Sequence, residues 1–204
     1  MIKLPRLYPI LDSSCFADTA ELCSAARELI SAGVTLLQYR NKSGNARQMT
    51  EQARALKQLV GGSTKLIMND RADICLAAGF DGVHVGQEDI SPGCARKVIG
   101  PNLLLGVSTH NPVQLREAHQ TSADYLAIGP VFATTSKLNP DPVVGIEGVR
   151  RGRAMTNKPL VAIGGITLAN CRMVLEAGAD SVAVISGLIR EPRKSAEDFL
   201  GILS

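Results

Sequence analysis

Charged and amide side chains follow a short apolar run in the segment Gln38-Tyr39-Arg40-Asn41-Lys42. Alternation along a strand places Gln38 and Arg40 on one face, with Lys42 just beyond the strand end. Arginine offers a forked pair of donors to a phosphate, and lysine offers a compact positive charge. The segment therefore predicts an anion-binding cluster, and a solvated basic loop is the alternative interpretation.

Two aspartates follow the next two apolar runs, one in Asn69-Asp70 and one in Gly86-Gln87-Glu88-Asp89. Carboxylates from neighbouring strand ends can share a hard cation. Mg²⁺ typically takes one or two of them and leaves its other positions to water and substrate phosphate. The alternative is that Asp70 and Asp89 each cap the helix that follows. Opposite a basic cluster, the pair favours a magnesium site with Asp70 and Asp89 as ligands.

Hydroxyl and imidazole groups follow the later runs. Ser108 can donate to a phosphate or cap a helix, and His84 and His110 fit either a ligand contact or a structural position. The segment 133–145 is the longest stretch with no helical or strand pattern, and long loops in compact barrels are usually lids or binding loops. Its candidate anion-binding residues are Thr134, Thr135, Ser136 and Lys137.

The last two runs are followed by Gly164-Gly165 and by Ile185-Ser186-Gly187. Glycine lets the backbone approach a ligand closely, and N–H groups at a helix start attract anions. Loops after the seventh and eighth strands of a (β/α)8 barrel frequently hold a phosphate. We therefore predict a phosphate site there.

Eight apolar runs place these residues, and segments with helical spacing lie between them. The runs are residues 7–11, 35–39, 65–68, 82–85, 103–107, 125–128, 160–163 and 181–185; the clearest helical segments are 20–31, 46–60, 112–120 and 168–177. Strands that alternate with helices predict a parallel sheet. No Gly-rich nucleotide loop follows the first run, so a closed barrel is favoured over an open sheet. The expected fold is α/β, a single (β/α)8 TIM barrel over residues 1–204.

Three Ala-Gly pairs stand where a helical segment gives way to a strand: Ala32-Gly33, Ala78-Gly79 and Ala177-Gly178. Glycine takes the left-handed conformation that ends a helix without a Cβ penalty. The pairs predict three helix ends of the same kind.

Composition excludes several classes of partner. The net charge is +3 with no long basic run, so neither nucleic acid nor a membrane surface is the expected partner. No apolar run approaches the ~20 residues of a membrane span, and the first ten residues lack the apolar core of a signal peptide. The five scattered cysteines are typical of a reducing compartment. We expect a cytoplasmic protein, and a homo-oligomer is compatible with this interpretation.

Taken in order, these motifs resemble the thiamine phosphate synthase family, and the resemblance extends from the first run to the last. The motifs that carry it are Gln38-Tyr39-Arg40-x-Lys42, Asn69-Asp70, His84-Val85-Gly86-Gln87-x-Asp89, Gly106-Val107-Ser108-x-His110, Gly129-Pro130-Val131-Phe132, Lys137 and Gly164-Gly165-Ile166. The resemblance implies a transferase with Mg²⁺ as cofactor. Its substrates would be 4-amino-2-methyl-5-hydroxymethylpyrimidine diphosphate and a thiazole phosphate, and its products thiamine phosphate and pyrophosphate.

The resemblance also implies roles for individual residues. The pyrimidine diphosphate would be held by Gln38, Tyr39, Arg40, Asn41, Lys42, Asn69, Ser108 and Lys137, of which Arg40, Lys42, Ser108 and Lys137 form the catalytic group. The thiazole phosphate would be held by Thr134, Thr135, Ser136, Gly165, Ile185 and Ser186. Mg²⁺ would bind Asp70 and Asp89. Two positions depart from the usual family pattern: Asn41 replaces a glutamate and Ser136 replaces a threonine.

Three other functions compete with this one. A thiazole tautomerase or regulator-like relative would lack Asp70 and the complete basic motif. A non-catalytic barrel that binds a phosphorylated metabolite would not need the two aspartates together with Lys137. A sugar-phosphate isomerase would need a catalytic acid–base pair at strand ends, which Asp70 and Asp89 could imitate.

Overall fold

Eight parallel strands alternate with eight helices and close into a barrel, in a computed structural model that describes residues 2–134 and 141–204. The strands are β1 (Leu7–Asp12), β2 (Leu36–Arg40), β3 (Lys65–Asn69), β4 (Gly82–Val85), β5 (Leu104–Thr109), β6 (Tyr125–Ile128), β7 (Leu160–Ile163) and β8 (Ser181–Val184). The helices are α1 (Thr19–Ser31), α2 (Ala46–Leu59), α3 (Ala72–Ala78), α4 (Pro92–Ile99), α5 (Pro112–His119), α6 (Gly145–Met155), α7 (Cys171–Glu176) and α8 (Pro192–Leu203). Each strand pairs with the next, and β8 pairs with β1. The predicted barrel is confirmed.

The predicted strand ends agree with the structure to within two residues. The largest difference at a helix is at α7, which begins at Cys171 rather than at residue 168. Residues 168–170 form a turn instead, in which the Thr167 N–H donates to Asn170 Oδ1 over 2.8 Å. This side-chain bond competes with helical pairing, as asparagine commonly does.

Alternate residues of each strand pack into two separate layers. The barrel interior holds a cluster that includes Tyr8, Ile10, Leu36 and Tyr125. The larger layer between strands and helices includes Leu37 and Tyr39, their neighbours along β2, among many others. Leu36 and Gln38, which alternate with Leu37 and Tyr39, therefore lie on the inward face of β2.

An aspartate at the amino-terminal end of the barrel ties one strand to the one before it. Asp81 Oδ2 accepts from the Leu66 N–H over 2.9 Å, while the Asp81 N–H donates to Leu66 O over 2.8 Å. Lys57 Nζ reaches the same carboxylate over 3.2 Å. The arrangement, which we call the aspartate bridge, recurs at Asp124 with Leu105 and Arg96, and at Asp180 with Leu160 and Arg153. It joins β3 to β4, β5 to β6, and β7 to β8.

The three Ala-Gly pairs end α1, α3 and α7 as predicted. Gly33, Gly79 and Gly178 have φ of 97°, 70° and 107°. In each case the chain turns from the helix into the next strand through this left-handed residue. These junctions lie at the end of the barrel opposite the polar strand ends.

Candidate active site

A cavity of about 480 Å³ opens at the carboxyl ends of the strands. Its volume is in the range of small-molecule sites. Eight of the predicted site residues line it: Gln38, Arg40, Asn69, Ser108, Thr134, Gly165, Ile185 and Ser186. Side chains from strands that are far apart in sequence therefore face one space.

Arg40 is held at the cavity wall by an acidic partner that sequence reasoning missed. Register pairs Asp12 at the end of β1 with Arg40 at the end of β2, and Arg40 Nη1 donates to Asp12 Oδ2. Asp12 is buried and also accepts from the N–H and hydroxyl of Ser14, over 3.1 and 2.7 Å. The sequence signal that could have identified this partner is the aspartate directly after the first apolar run.

Lys42, Asp70 and Asp89 form a charged group at the ends of β2, β3 and β4. Lys42 Nζ donates to Asp70 Oδ2, and the carboxyl group of Asp89 lies beside that of Asp70. Asp89 Oδ2 also accepts from the Gly86 N–H over 2.7 Å. Burial, followed by the contact with Asp89, raises the pKa of Asp70 to about 6 against the opposing effect of Lys42. Burial and the neighbouring carboxyl group therefore both favour the protonated form of Asp70.

Neither aspartate acts as a helix cap. The N-cap position of α3 is occupied by Arg71, whose side chain makes no capping hydrogen bond. The N-cap position of α4 is occupied by Ser91, whose hydroxyl accepts from the Cys94 N–H. Asp70 has φ of 63°, the one positive φ at a non-glycine position in residues 2–134 and 141–204. Such strain costs on the order of 1–3 kcal/mol and concentrates at functional sites. The capping interpretation is therefore excluded for both residues.

The acidic pair fits Mg²⁺. A cation between Asp70 and Asp89 would favour the ionised form of Asp70, whose pKa is raised by burial and then by the contact with Asp89. Within the described ranges no three His, Cys, Asp or Glu side chains group together as a full protein cage. Mg²⁺ needs none, because it usually keeps water and substrate phosphate among its ligands.

A chain of neutral hydrogen bonds crosses the cavity floor from β2 to β5. Gln38 Nε2 donates to Tyr8 Oη over 2.9 Å, and Tyr8 Oη lies 2.9 Å from Tyr125 Oη. Tyr125 Oη lies 3.1 Å from His84 Nδ1, and His84 Nε2 lies 2.8 Å from Ser108 Oγ. The sequence predicted Gln38 and Ser108 as site residues and allowed either a functional or a structural role for His84. It did not identify Tyr8 or Tyr125.

His84 is uncharged at neutral pH, because burial lowers the pKa of its ring to about 4 against a smaller opposing effect of Asp89. Its partner Ser108 does not cap α5, since Asn111 accepts from the N–H groups of Val113 and Gln114. Both side chains face the cavity. The functional interpretation of Ser108 is thus favoured over the capping one.

Asn69 and His110 complete this side of the cavity. Asn69 Nδ2 is buried and has no hydrogen-bond partner within the described part of the chain, which leaves a donor for a ligand. A buried amide donor without a partner destabilises the protein, so a ligand acceptor that bonds to it removes this cost and binds more tightly. His110 Nδ1 lies 2.7 Å from Gly129 O and 3.5 Å from Asp141 Oδ2.

Tyr39 and Asn41, also predicted to contact substrate, lie outside the barrel wall. Tyr39 Oη donates to Gln52 Oε1 over 2.5 Å, and Asn41 Nδ2 reaches both groups, over 3.1 and 3.0 Å. Asn41 Oδ1 accepts from the Ser43 N–H over 2.8 Å. Neither residue lines the cavity. Alternation turns them outward, where they connect the loop after β2 to α2.

The opposite wall of the cavity consists of the loops after β6, β7 and β8. Gly165 has φ of 65°, and a Cβ there would lie 2.5 Å from Ala133 O and 2.7 Å from Phe132 Cβ. The Phe132 N–H donates to Gly164 O over 3.0 Å. The Gly-Gly pair thus lets two loops touch beside the cavity. Thr135, Ser136 and Lys137 lie outside the described residues.

This chain and its fold are similar to known proteins. A family model described as thiamine monophosphate synthase matches residues 7–188. The thiamine-phosphate synthase of Koribacter versatilis is 58% identical, over 99% of this chain and 97% of that protein. That of Agrobacterium fabrum is 43% identical, over 91% and 86%. The solved thiamine phosphate pyrophosphorylase of Pyrococcus furiosus has a TM-score of 0.86 at 35% identity, over 97% and 95% of the two chains. The chain belongs to the thiamine monophosphate synthase family.

Proposed function

We propose that this member of the family joins a pyrimidine carried as its diphosphate to a thiazole phosphate and releases pyrophosphate. The observation that carries the proposal is the single cavity in which Arg40, Asn69 and Ser108 face the same space, beside the pair of acidic groups at Asp70 and Asp89. Donors and cations suit the diphosphate, and the carboxylates suit a cation that accompanies it.

The pyrimidine diphosphate belongs at the β2–β5 side of the cavity. Arg40 is oriented by Asp12, so its remaining N–H groups are available to a phosphate oxygen. Asn69 Nδ2 supplies an unpaired donor, and Ser108 supplies a hydroxyl. Gln38 lies deeper, at the floor, where it suits the ring rather than the diphosphate. Tyr39 and Asn41 act on this site only through the loop that they hold.

Asp70 and Asp89 would hold Mg²⁺. When bound, Mg²⁺ supplies positive charge to the departing diphosphate. Lys42 is half-exposed beside Asp70 and can turn from the carboxylate to the diphosphate. Lys137 is proposed as a further cation for the same leaving group.

The thiazole phosphate belongs at the β6–β8 side. Gly165, Ile185 and Ser186 line the cavity there together with Thr134. Backbone N–H groups near glycine can approach a phosphate closely. Thr135 and Ser136 are proposed as neighbouring donors.

The reaction breaks the C–O bond to the diphosphate and forms a C–N bond to the thiazole nitrogen. The electron pair of the C–O bond leaves with the pyrophosphate, and the aminopyrimidine ring delocalises the positive charge on the methylene carbon. No side-chain nucleophile is needed. What the protein contributes is charge stabilisation by Arg40, Lys42 and Lys137 and the placement of two substrates in one cavity.

Pyrophosphate release tests the proposal directly. With Mg²⁺, the pyrimidine diphosphate and the thiazole phosphate all present, the purified chain should release pyrophosphate and form thiamine phosphate in equal amounts. Omission of any one component should stop both. Binding without release would support a non-catalytic metabolite sensor, and isomerisation of the thiazole phosphate alone would support the tautomerase-like relative.

The partners we propose are these two small molecules. Within residues 2–134 and 141–204, no helix combines the length and apolar character that crossing a bilayer demands. The buried free thiols of Cys23, Cys75 and Cys171 fit a reducing compartment, so we place the enzyme in the cytoplasm.

A further inference from the structure

The chain of hydrogen bonds on the cavity floor has a direction that its first member sets. Gln38 Nε2 is an amide nitrogen and can only donate, so Tyr8 Oη accepts from it. Tyr8 is fully buried, and within the described residues Tyr125 Oη is the other polar group that contacts its hydroxyl. The Tyr8 proton is therefore directed to Tyr125.

The direction of the remaining hydrogen bonds, from Tyr8 to Ser108, follows from their donors and acceptors. Burial raises the pKa of the phenols of Tyr8 and Tyr125, so each carries one proton at neutral pH. Tyr125 Oη accepts a hydrogen bond from Tyr8 Oη and donates one to His84 Nδ1. A neutral imidazole that accepts at Nδ1 carries its hydrogen on Nε2, which then donates to Ser108 Oγ.

We propose that Tyr8, Tyr125 and His84 are positioning residues that hold the Ser108 hydroxyl as a donor toward the cavity. Ser108 Oγ accepts from His84, so its own hydrogen is free to point at the ligand. In the opposite order Ser108 would donate to His84 Nε2 and present only lone pairs to the cavity. An anion is bound by donors and repelled by lone pairs, so only the first order suits a diphosphate.

The absence of a side chain at Gly106 leaves space for these hydrogen bonds inside the barrel. Register places His84, Gly106 and Tyr125 side by side on β4, β5 and β6. A Cβ at Gly106 would overlap the ring and hydroxyl of Tyr125 as well as His84 Nδ1. The rings of His84 and Tyr125 meet over this glycine with their centroids 5.5 Å apart. The hydrogen bond from Tyr125 to His84 thus depends on the absence of atoms at Gly106.

The inference rests on the proposed function in one respect, namely that Ser108 faces the diphosphate. The direction of the chain itself can be measured without any substrate. Nitrogen NMR of protein labelled with ¹⁵N-histidine distinguishes the two neutral tautomers, and His84→Gln identifies the resonances of His84 among the three histidines. We expect hydrogen on Nε2 and a bare Nδ1. Hydrogen on Nδ1, or a charged ring at neutral pH, would overturn the proposal.

Titration with the pyrimidine diphosphate tests the connection to Ser108. Tyr125→Phe and Ser108→Ala should each raise Kd about tenfold, the effect of losing one oriented hydrogen bond to a charged group. Because Tyr125 acts through Ser108, the double variant should bind no more weakly than Ser108→Ala alone. Multiplied effects in the double variant would contradict the proposal.

Thr64→Val is the matched control, since it removes a buried hydroxyl that donates to Val34 O at the other end of the barrel. Its Kd should stay at the wild-type value. If folded wild-type protein did not bind the pyrimidine diphosphate at all, the proposed function would fail. The tautomer of His84 would still decide the direction of the chain.

Discussion

Lys42 Nζ donates to Asp70 Oδ2 across the carboxyl ends of β2 and β3. An ammonium and a divalent cation compete for such a carboxylate, because both bind it through the same oxygen atoms. In the function proposed above, Lys42 lowers the pKa of Asp70 in the metal-free protein and would turn toward the diphosphate once Mg²⁺ is bound. Removal of the Lys42 ammonium should therefore change the affinities for Mg²⁺ and for the pyrimidine diphosphate in opposite directions.

At a pH well above the pKa of Asp70, Lys42→Met should raise the affinity for Mg²⁺ severalfold and lower the affinity for the pyrimidine diphosphate, because one positive charge has been removed from both sites. Calorimetric titration with each ligand separately measures the two effects. Lys57→Met, which removes the lysine that reaches Asp81 at the far end of the barrel, should change neither. A loss of Mg²⁺ affinity in Lys42→Met would mean that Lys42 positions Asp70 rather than competing for it.

Asp70→Asn should leave the fold intact and reduce kcat/KM for coupling by at least about 10²-fold. The loss of a group that merely orients a metal ligand already costs about 10–100-fold. Pyrophosphate release at saturating Mg²⁺ is the measurement. Asp73→Asn, an exposed acid on α3 paired with Arg71, is the control and should retain full activity. Unchanged activity in Asp70→Asn would remove this residue from the metal site.

The affinity for Mg²⁺ should fall as the pH is lowered through about 6. The pKa of Asp70 is raised to about 6, so its carboxyl group is protonated below that pH and must lose the proton before it can bind metal. Below the pKa the expected slope is about tenfold per pH unit for one displaced proton. In Lys42→Met the midpoint should move upward, since the ammonium lowers the pKa of Asp70. A flat profile in the same titrations would contradict this assignment.

Gly165→Ala should destabilise the protein more than Gly79→Ala does. Both glycines have positive φ, which costs a non-glycine residue roughly 1–2 kcal/mol. A Cβ at Gly79 meets nothing within 4 Å, whereas at Gly165 it would press on Ala133 and Phe132. Urea unfolding gives the two free energies, and their difference measures the close approach of the loops. Gly165→Ala should also weaken thiazole phosphate binding more than pyrimidine diphosphate binding, and equal losses would separate this loop from the thiazole site.

Asp124→Ala should lower the free energy of unfolding by about 1–3 kcal/mol, the range for hydrogen bonds to a charged group. The change removes an aspartate bridge and leaves the Leu105 N–H and Arg96 without their shared carboxylate. Because the bridge lies opposite the cavity, kcat per folded molecule should not change. Asp198→Ala, on the exposed side of α8, is the control for the loss of one surface charge. A fall in kcat without a fall in stability would contradict this division between the two ends of the barrel.

The sequence was sufficient to predict the barrel because each strand is a short apolar run between polar or glycine-containing segments. It was also sufficient for Gln38 and Arg40, whose alternation with Tyr39 gives them a common face. It was insufficient for Tyr8 and Tyr125, because a tyrosine within a strand has the same pattern whether it faces the interior or the helices. The partnership of Asp12 with Arg40 depends on strand register, which no local pattern reveals.

Tyr39 and Asn41 show the opposite problem. They stand inside the motif that carries the family resemblance, and the motif alone does not say which side chains turn outward. In the structure they form hydrogen bonds with Gln52 on α2, a residue that no motif had identified. Proximity in sequence to a binding residue is therefore a weak guide when alternate residues of a strand face different layers.

Gly106 contributes to the cavity floor only by having no side chain. Alanine scanning measures the loss of activity or stability when a side chain is truncated. At Gly106 there is no side chain to truncate, so the substitution adds a methyl group instead. The effect of Gly106→Ala would thus report on two other residues, since the added methyl group overlaps both His84 and Tyr125. Any descendant of this chain that acquires the methyl group must also change the histidine or the tyrosine, so the three positions are expected to evolve together.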